Sequence, residues 1–176
     1  MKKVLLVSGG LDSMLIYAEK KHLIDYLVYF DYGHRFMAQE LACLDKQKVP
    51  YRIVKMRELP EKNGWFFGRN LAFLIACREA FLSEDIAVYV GTNADDCYTD
   101  NAFEFMQRAE KIINDSYVTN TMRVVCPLKD MTKQEIISKA RQLGVGFYFC
   151  DSGEADACGK CHSCVAMQDA GYAFKE

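Results

Sequence analysis

Proline is scarce, at 3 residues in 176, and the chain holds no internal repeat, low-complexity tract or linker. With 51% of residues hydrophobic and 26% charged, this excludes a disordered tail or a string of modules and leaves one domain with room for a core. Runs of Lys or Arg are missing as well, and the net charge is −2. A broad basic face for duplex nucleic acid is therefore absent, although a local basic pocket is compatible with these numbers. Nowhere do about 18 apolar residues follow one another, as a membrane-spanning helix requires. The opening MKKVLLV has the look of a secretion signal, but its apolar stretch is too short and runs into SGG rather than a small-residue cleavage site. These absences predict a soluble, cytoplasmic protein with no membrane and no direct nucleic-acid partner.

Cysteine is the residue in surplus, with 8 in the chain. Cys43, Cys77, Cys97 and Cys126 are scattered, mostly among apolar neighbours, whereas Cys150, Cys158, Cys161 and Cys164 crowd together. Without a secretory leader, a crowded set points to metal rather than to a disulfide framework. Four thiolates complete a tetrahedral Zn²⁺ shell and leave no open position, which predicts a structural metal. Gly159 allows a tight knuckle between two Cys-x-x-Cys steps, and His162 is a substitute ligand within the same segment. An iron–sulfur cluster uses the same ligand type and is not separated from zinc by spacing; unliganded or redox-active thiols also fit the count.

Apolar runs and helical periodicities alternate along the chain. Strands are predicted at 2–7, 26–30, 51–55, 86–90 and 123–126, and helices at 12–21, 34–47, 70–82, 101–113 and 132–143. Continuous apolar strands alternating with helices imply a parallel sheet covered on both faces, with right-handed crossovers. The last helix opens TKQE, a capping box, with Ile136, Ile137, Ala140 and Leu143 as its inner stripe. After about residue 147 the alternation stops. The expectation is an α/β domain over 1–146, with the cysteine-bearing segment 147–176 packed on it.

Between the first strand and the first helix stands SGGLDS, residues 8–13. Two glycines let the backbone turn tightly and approach a ligand. The amides that open the helix then point at that ligand, and the helix dipole favours an anion. Ser8 and Ser13 supply hydroxyls, so the stretch is shaped to hold phosphate. No lysine follows the glycines, which excludes a Walker A loop, and the Gly-x-Gly-x-x-Gly fingerprint is absent. Asp12 is out of place in a simple anion site and makes sense if Mg²⁺ bridges it to the phosphates. A plainer possibility is a Gly-Gly turn with Ser and Asp as helix caps.

SGGLDS after an N-terminal strand resembles the PP-loop of the N-type ATP pyrophosphatases, which cleave ATP between the α- and β-phosphates and transfer AMP to an oxygen. Together with the cysteine cluster it resembles the 7-cyano-7-deazaguanine synthase (QueC) family over most of the chain. FDYGHR at 30–35 is similar to that family's Phe-Asp-Tyr-Gly-Gln-Arg, and Gly68-Arg69-Asn70 to its Gly-Arg-Asn. Residues 91–96, GTNADD, and Pro127-Leu128 followed by Thr132, Lys133 and Glu135 resemble two further segments. The resemblance implies an adenine nucleotide alpha hydrolase-like, Rossmann-like fold with a five-stranded parallel sheet and a small zinc-binding appendage. It implies an ATP-dependent carbon–nitrogen ligase that adenylates 7-carboxy-7-deazaguanine, uses ammonia to form an amide, and activates that amide for dehydration to 7-cyano-7-deazaguanine. Cofactors would be ATP, Mg²⁺ and Zn²⁺, and the protein a homodimer.

By the same resemblance Ser8, Gly9, Gly10, Leu11, Asp12 and Ser13 hold the nucleotide, with Asp12, Ser13 and Lys133 at the chemistry. Asp31, Arg35, Arg69, Asn70, Asn93, Asp96 and Asp100 are candidates for substrate or Mg²⁺, and Cys150, Cys158, Cys161 and Cys164 for Zn²⁺. Departures cluster where the deazapurine would be read. Residues 97–102 are two shorter than usual, with Asn101-Ala102 replacing a Cys-Arg pair. His34 replaces a glutamine, Phe36 a histidine, the metal knot is one residue tighter, and the 56–68 loop is short. These changes leave open an enzyme that stops at the amide or joins the deazapurine to another amine. An RNA-modifying PP-loop enzyme, for which Cys97 is the isolated thiol candidate, and a nucleotide sensor are also compatible with the phosphate loop.

Overall fold

The computed structural model describes residues 1–62, 65–96, 98–116 and 119–173; Cys97, Gly64 and the end of the 147–176 segment lie outside the described residues. Five parallel strands form the central sheet: β1 (Lys2–Leu6), β2 (Tyr26–Asp31), β3 (Arg52–Lys55), β6 (Ile86–Tyr89) and β7 (Met122–Val125). Their spatial order is β3-β2-β1-β6-β7. Between β3 and β6 lies a short antiparallel hairpin, β4 (Glu61–Lys62) and β5 (Trp65–Phe66). Helices α1 (Leu11–Lys20), α2 (Met37–Lys46) and α5 (Lys133–Gln142) cover one face, and α3 (Arg69–Ala80) and α4 (Phe103–Asp115) the other.

Strand pleating explains why the apolar runs are continuous, because successive side chains enter opposite cores. Along β1, Val4 joins the core under α3 and α4, while Leu5 joins Leu15, Ile16, Leu44 and Ile136 under α1, α2 and α5. Along β2, Val28 and Phe30 face one way, Leu27 and Tyr29 the other. No helix among the described residues is long and apolar enough to cross a membrane.

The chain winds from β1 to β2 and β3 on one side, then crosses to β6 and β7 on the other. The carboxyl ends of β1 and β6 therefore flank a switch point, where open α/β sheets leave a crevice for ligands. An isolated parallel bridge between Asn93 and Leu128 prolongs the β6–β7 pairing towards that crevice.

The structure corrects several sequence expectations. The second helix starts at Met37 rather than at 34, because His34 turns inward to reach Glu40 and is buried. Leu143 is not part of the inner stripe of α5: it is the C-cap residue and 53% exposed. The hairpin, a single turn of 3₁₀ helix at Thr99–Asn101, and α6 (His162–Asp169) inside the cysteine segment were not expected.

Candidate active site

Loop 8–13 leaves the end of β1 and enters α1 with Gly10 as N-cap, and no side chain caps that end. Ser8 and Asp12 are therefore not helix caps. Gly9 has a φ of 70°, and a Cβ there would meet the Glu40 carbonyl oxygen at 2.8 Å, so only glycine fits beneath α2. The serines brace the loop from within. Ser13 Oγ donates to the Gly10 carbonyl at 3.0 Å and accepts from the Ser8 amide at 3.2 Å, while the Gly10 amide donates to Ser8 Oγ at 3.2 Å.

Asp12 projects from the first turn of α1 against Lys133, whose Nζ lies 3.1 and 2.9 Å from its two carboxylate oxygens. Two devices set this meeting. Gly91, after β6, lacks the Cβ that would sit 2.8 Å from Asp12 Cβ, so α1 approaches the 91–96 loop closely. On α5 the capping box is formed, with Thr132 Oγ1 accepting from the Glu135 amide and Glu135 Oε2 from the Thr132 amide. The Lys133 amide also donates to Asp95 Oδ2 at 2.6 Å. Burial pushes the Asp12 carboxyl above its ordinary range, with the Lys133 charge opposing the shift. Asp96 is raised for the same reason, helped by the nearby Asp12 charge, although it accepts from the Asn93 amide at 2.8 Å and Asn101 Nδ2 at 2.6 Å. Asn93 is buried; its Nδ2 has no partner within hydrogen-bond geometry, yet it lies close enough to Asp12 to favour that carboxylate.

A cavity of about 400 Å³ opens from this loop across the ends of β1, β2 and β6, a size that suits a small organic ligand. Its far half is aromatic. Phe30 stacks on Phe73 at 4.9 Å, and Tyr32 meets Phe66 at 5.0 Å and Phe73 at 5.2 Å. Arg69, first residue of α3, lines the same half beside the Tyr32 hydroxyl, whose pKa is raised chiefly by burial. Beneath loop 8–13, Glu40 Oε2 accepts from Tyr29 Oη at 2.7 Å and from His34 Nε2 at 2.8 Å.

The four clustered cysteines bring their sulfurs within 4.8 Å of one another, and Cys158 and Cys164 are 3.8 Å apart. Zn–S bonds of about 2.3 Å at tetrahedral angles separate ligand sulfurs by about 3.8 Å, so this donor set fits zinc. Gly159, at a φ of 69°, turns the chain so that the Lys160 and Cys161 amides donate to Cys158 Sγ at 3.4 and 3.3 Å. Together with the Ser152 hydroxyl, the largest influence, these bring the Cys158 thiol down to about 6. His162 is not needed as a ligand; its Nδ1 pairs with Tyr98 Oη at 3.2 Å.

The expected substrate residues divide. Arg69, Asn70, Asp96 and Asp100 line the cavity, but Asn70 and Asp100 are occupied with each other: the Asn70 amide donates to Asp100 Oδ2 at 3.4 Å, and Asn70 Nδ2 to the Asp100 carbonyl at 3.1 Å. Arg35 stands at the rim, half exposed, with Nη1 on Glu61 at 2.8 Å and Nε on the Asp151 carbonyl at 2.9 Å. Two residues are not at the wall. Asp31 accepts from the Gly33 amide at 3.2 Å, a local turn, and Asn93 is packed behind the loop. Sequence reasoning missed Glu40, Asp95, Tyr98, Tyr148 and His162, all of which line the cavity. Glu40 carried one readable signal, a carboxylate on the inward stripe of a helix between Met37 and Leu44.

The profile of the family described as queuosine biosynthesis protein QueC matches residues 44–175. Proteins named 7-cyano-7-deazaguanine synthase are similar from end to end. That of Aquifex aeolicus is 30% identical, over 95% of this chain and 94% of its own. That of Stutzerimonas stutzeri is 28% identical, over 98% and 93%. The latter alignment runs over 212 positions, more than this chain's 176 residues, so the relative has internal segments that this chain lacks. Among solved structures, one titled as a predicted subunit of tRNA methyltransferase from Methanocaldococcus jannaschii shares the fold. Its TM-score is 0.50 at 16% identity, over 80% of this chain and 74% of the other.

Proposed function

The chain belongs to the queuosine biosynthesis protein QueC family, and from that premise we propose that it is an ATP-dependent carbon–nitrogen ligase making 7-cyano-7-deazaguanine from 7-carboxy-7-deazaguanine and ammonia. A carboxylate expels oxygen poorly until that oxygen carries AMP; ammonia then displaces AMP to give the amide, and a second activation lets the amide lose its oxygen as the nitrile forms. The observation that carries the reading is the uncapped start of α1 with Asp12 and Lys133 beside it, opening onto an aromatic-walled cavity. The amides of loop 8–13 and Lys133 would hold the polyphosphate of ATP, and Asp12 with Asp96 would hold Mg²⁺, which shields phosphate charge. Both carboxyls carry a burial cost that a divalent cation relieves. Lys133, released from Asp12 by the cation, would turn to the phosphates.

Phe30, Phe66 and Phe73 suit a flat heterocycle, and Arg69 is the cation placed to orient its carboxylate. Cys150, Cys158, Cys161 and Cys164 would hold Zn²⁺ with a closed shell and a structural role. A cytoplasmic homodimer acting on small molecules, without nucleic acid, completes the proposal.

A second reading, an amide end product or a different amine, is favoured by one feature. Asp100 and Asn101, in the shortened loop, are tied to Asn70 and Asp96 rather than free to read a base edge. Purified protein incubated with ATP, ammonia and 7-carboxy-7-deazaguanine, with products resolved by mass, separates the two. The nitrile is expected; amide alone selects the second reading, and no AMP at all overturns both. Asp12→Ala should lower AMP release by at least about 100-fold, the size of losing a key electrostatic group at a reacting centre.

A further inference from the structure

Glu40 lines the cavity and has no part in the reading above. Its carbonyl lies under Gly9 and its side chain reaches the cavity wall, with the residue only 8% exposed. Both hydrogen bonds it accepts converge on Oε2, from Tyr29 and His34, and Oε1 has no hydrogen-bond partner among the described residues. His34, one of the two holding groups, is itself packed in place: Tyr32 stacks on its ring at 4.0 Å and Phe36 meets it edge-on at 4.4 Å. A mostly buried carboxylate with one oxygen free of hydrogen bonds at a cavity wall can take a small cation that donates to it.

We propose that Glu40, held in place by Tyr29 and His34, binds ammonium at the cavity wall and takes its proton before nitrogen attacks the activated substrate. The inference rests on the ligase reading above. That reading needs ammonia, whereas near neutral pH the supply is almost all ammonium, which has no lone pair. One proton passes to Glu40 and ammonia is left. Its lone pair forms the C–N bond at the acyl carbon, and the acyl C–O bond breaks with its electron pair leaving on AMP. The nitrogen, positively charged after attack, loses a second proton to water.

Two further observations support the assignment. Burial holds the Glu40 carboxyl above its ordinary range, with the His34 and Tyr29 hydrogen bonds opposing, which makes it a stronger base than an exposed carboxylate. His34 is 5% exposed, and its Nδ1 is buried without a partner, so the ring is fixed by its single polar commitment to the Tyr29–Glu40 pair. His34 and Tyr29 are positioning residues. The other titratable groups that face or sense Glu40 are Arg69 from α3, Tyr32 from the 31–36 loop, Cys43 on its own helix and Tyr148 from the C-terminal segment. Arg69 lines the same cavity as Glu40, and its charge acts on the Glu40 carboxyl.

The test compares Glu40→Gln with the unaltered full chain in two assays: substrate-dependent exchange of pyrophosphate into ATP, and amide formation from ammonium or from hydroxylamine, an amine that is neutral at about pH 7. Glu40→Gln should keep exchange within about threefold and hydroxamate formation nearly unchanged, while amide formation from ammonium at about pH 7 falls about 100-fold and recovers towards about pH 9. His34→Gln, which retains a donor towards Glu40, should lose only about tenfold with ammonium and nothing with hydroxylamine. Equal losses with both amines would make Glu40 structural and overturn the proposal, as would unchanged amide formation. If Glu40→Gln does not fold, Glu40→Asp, which draws the carboxylate back by one methylene, is read in the same way. Absence of exchange in the unaltered protein overturns the ligase reading and this proposal together.

Discussion

Asp12, Glu40 and Asp96 are three carboxyls whose pKa values all rise for the same first reason, burial at the cavity. Each therefore holds its proton to higher pH in the folded chain than in the unfolded one. Stability falls with pH wherever the folded state binds more protons. Their contribution is complete below the ordinary carboxyl pKa of about 4 and is lost as pH rises through the folded values. Asp85 and Glu135 act oppositely, since hydrogen bonds from Thr121 and Thr132 lower their values, but both are at the surface and their influence is small. Urea unfolding of the ligand-free protein from about pH 4 to about pH 8 should show declining stability, and Asp96→Asn should flatten the decline. A profile that climbs with pH would mean that ion pairing, not burial, governs these groups. Saturating Mg²⁺ and ATP should flatten it as well, because the cation occupies the charge that burial penalises.

Among the elements, α5 shows how a local signal can place a functional group. Its capping box is readable as Thr-x-x-Glu, and the formed box fixes the first turn from which Lys133 reaches Asp12. Thr132→Ala should cost about 1 kcal/mol of stability, the usual loss for an N-cap. It should also raise the KM for ATP, because Lys133 then leaves a frayed turn; thermal melts and steady-state kinetics check the two parts separately. Features legible in the sequence were of this local kind: strand–helix alternation, the Gly-Gly turn after β1 and the cysteine spacing. Features that were not legible depend on which group claims a side chain, or where an element ends, once the chain has folded. His34 reads as the start of a helix, and it is interior because Tyr29 from β2 and Glu40 from α2 hydrogen-bond its ring while Tyr32 and Phe36 pack on it. Asp31 stands in a motif that suggests a ligand, yet its carboxylate is claimed by Gly33 two residues on. Leu143 fits the helical stripe, but the helix ends before the core reaches it.

At the scale of the whole molecule, the cysteine segment is built against loop 8–13. The Tyr148 amide donates to the Gly9 carbonyl at 2.8 Å, and Tyr148 Oη donates to the carbonyls of Cys150 at 2.6 Å and Glu154 at 2.9 Å. One tyrosine thus links the metal knot to the loop. A second link runs from Arg35 to the Asp151 carbonyl, with Gly153 packed on the Arg35 backbone. Thiolates drawn to within 4.8 Å repel one another unless a cation neutralises them, so a metal ion bound there would hold the knot and, through Tyr148, brace the loop. Removing the metal with a chelator, or replacing Cys164 by serine, should lower the melting temperature and abolish bound zinc. Amide hydrogen exchange should then rise in two places together, around residues 147–151 and around residues 8–10. Loss of zinc with protection at 8–10 unchanged would make the knot an independent unit. If the coupling holds, the same variant should weaken ATP binding more than it slows turnover by the bound enzyme, because the loop retains its residues and loses only its brace.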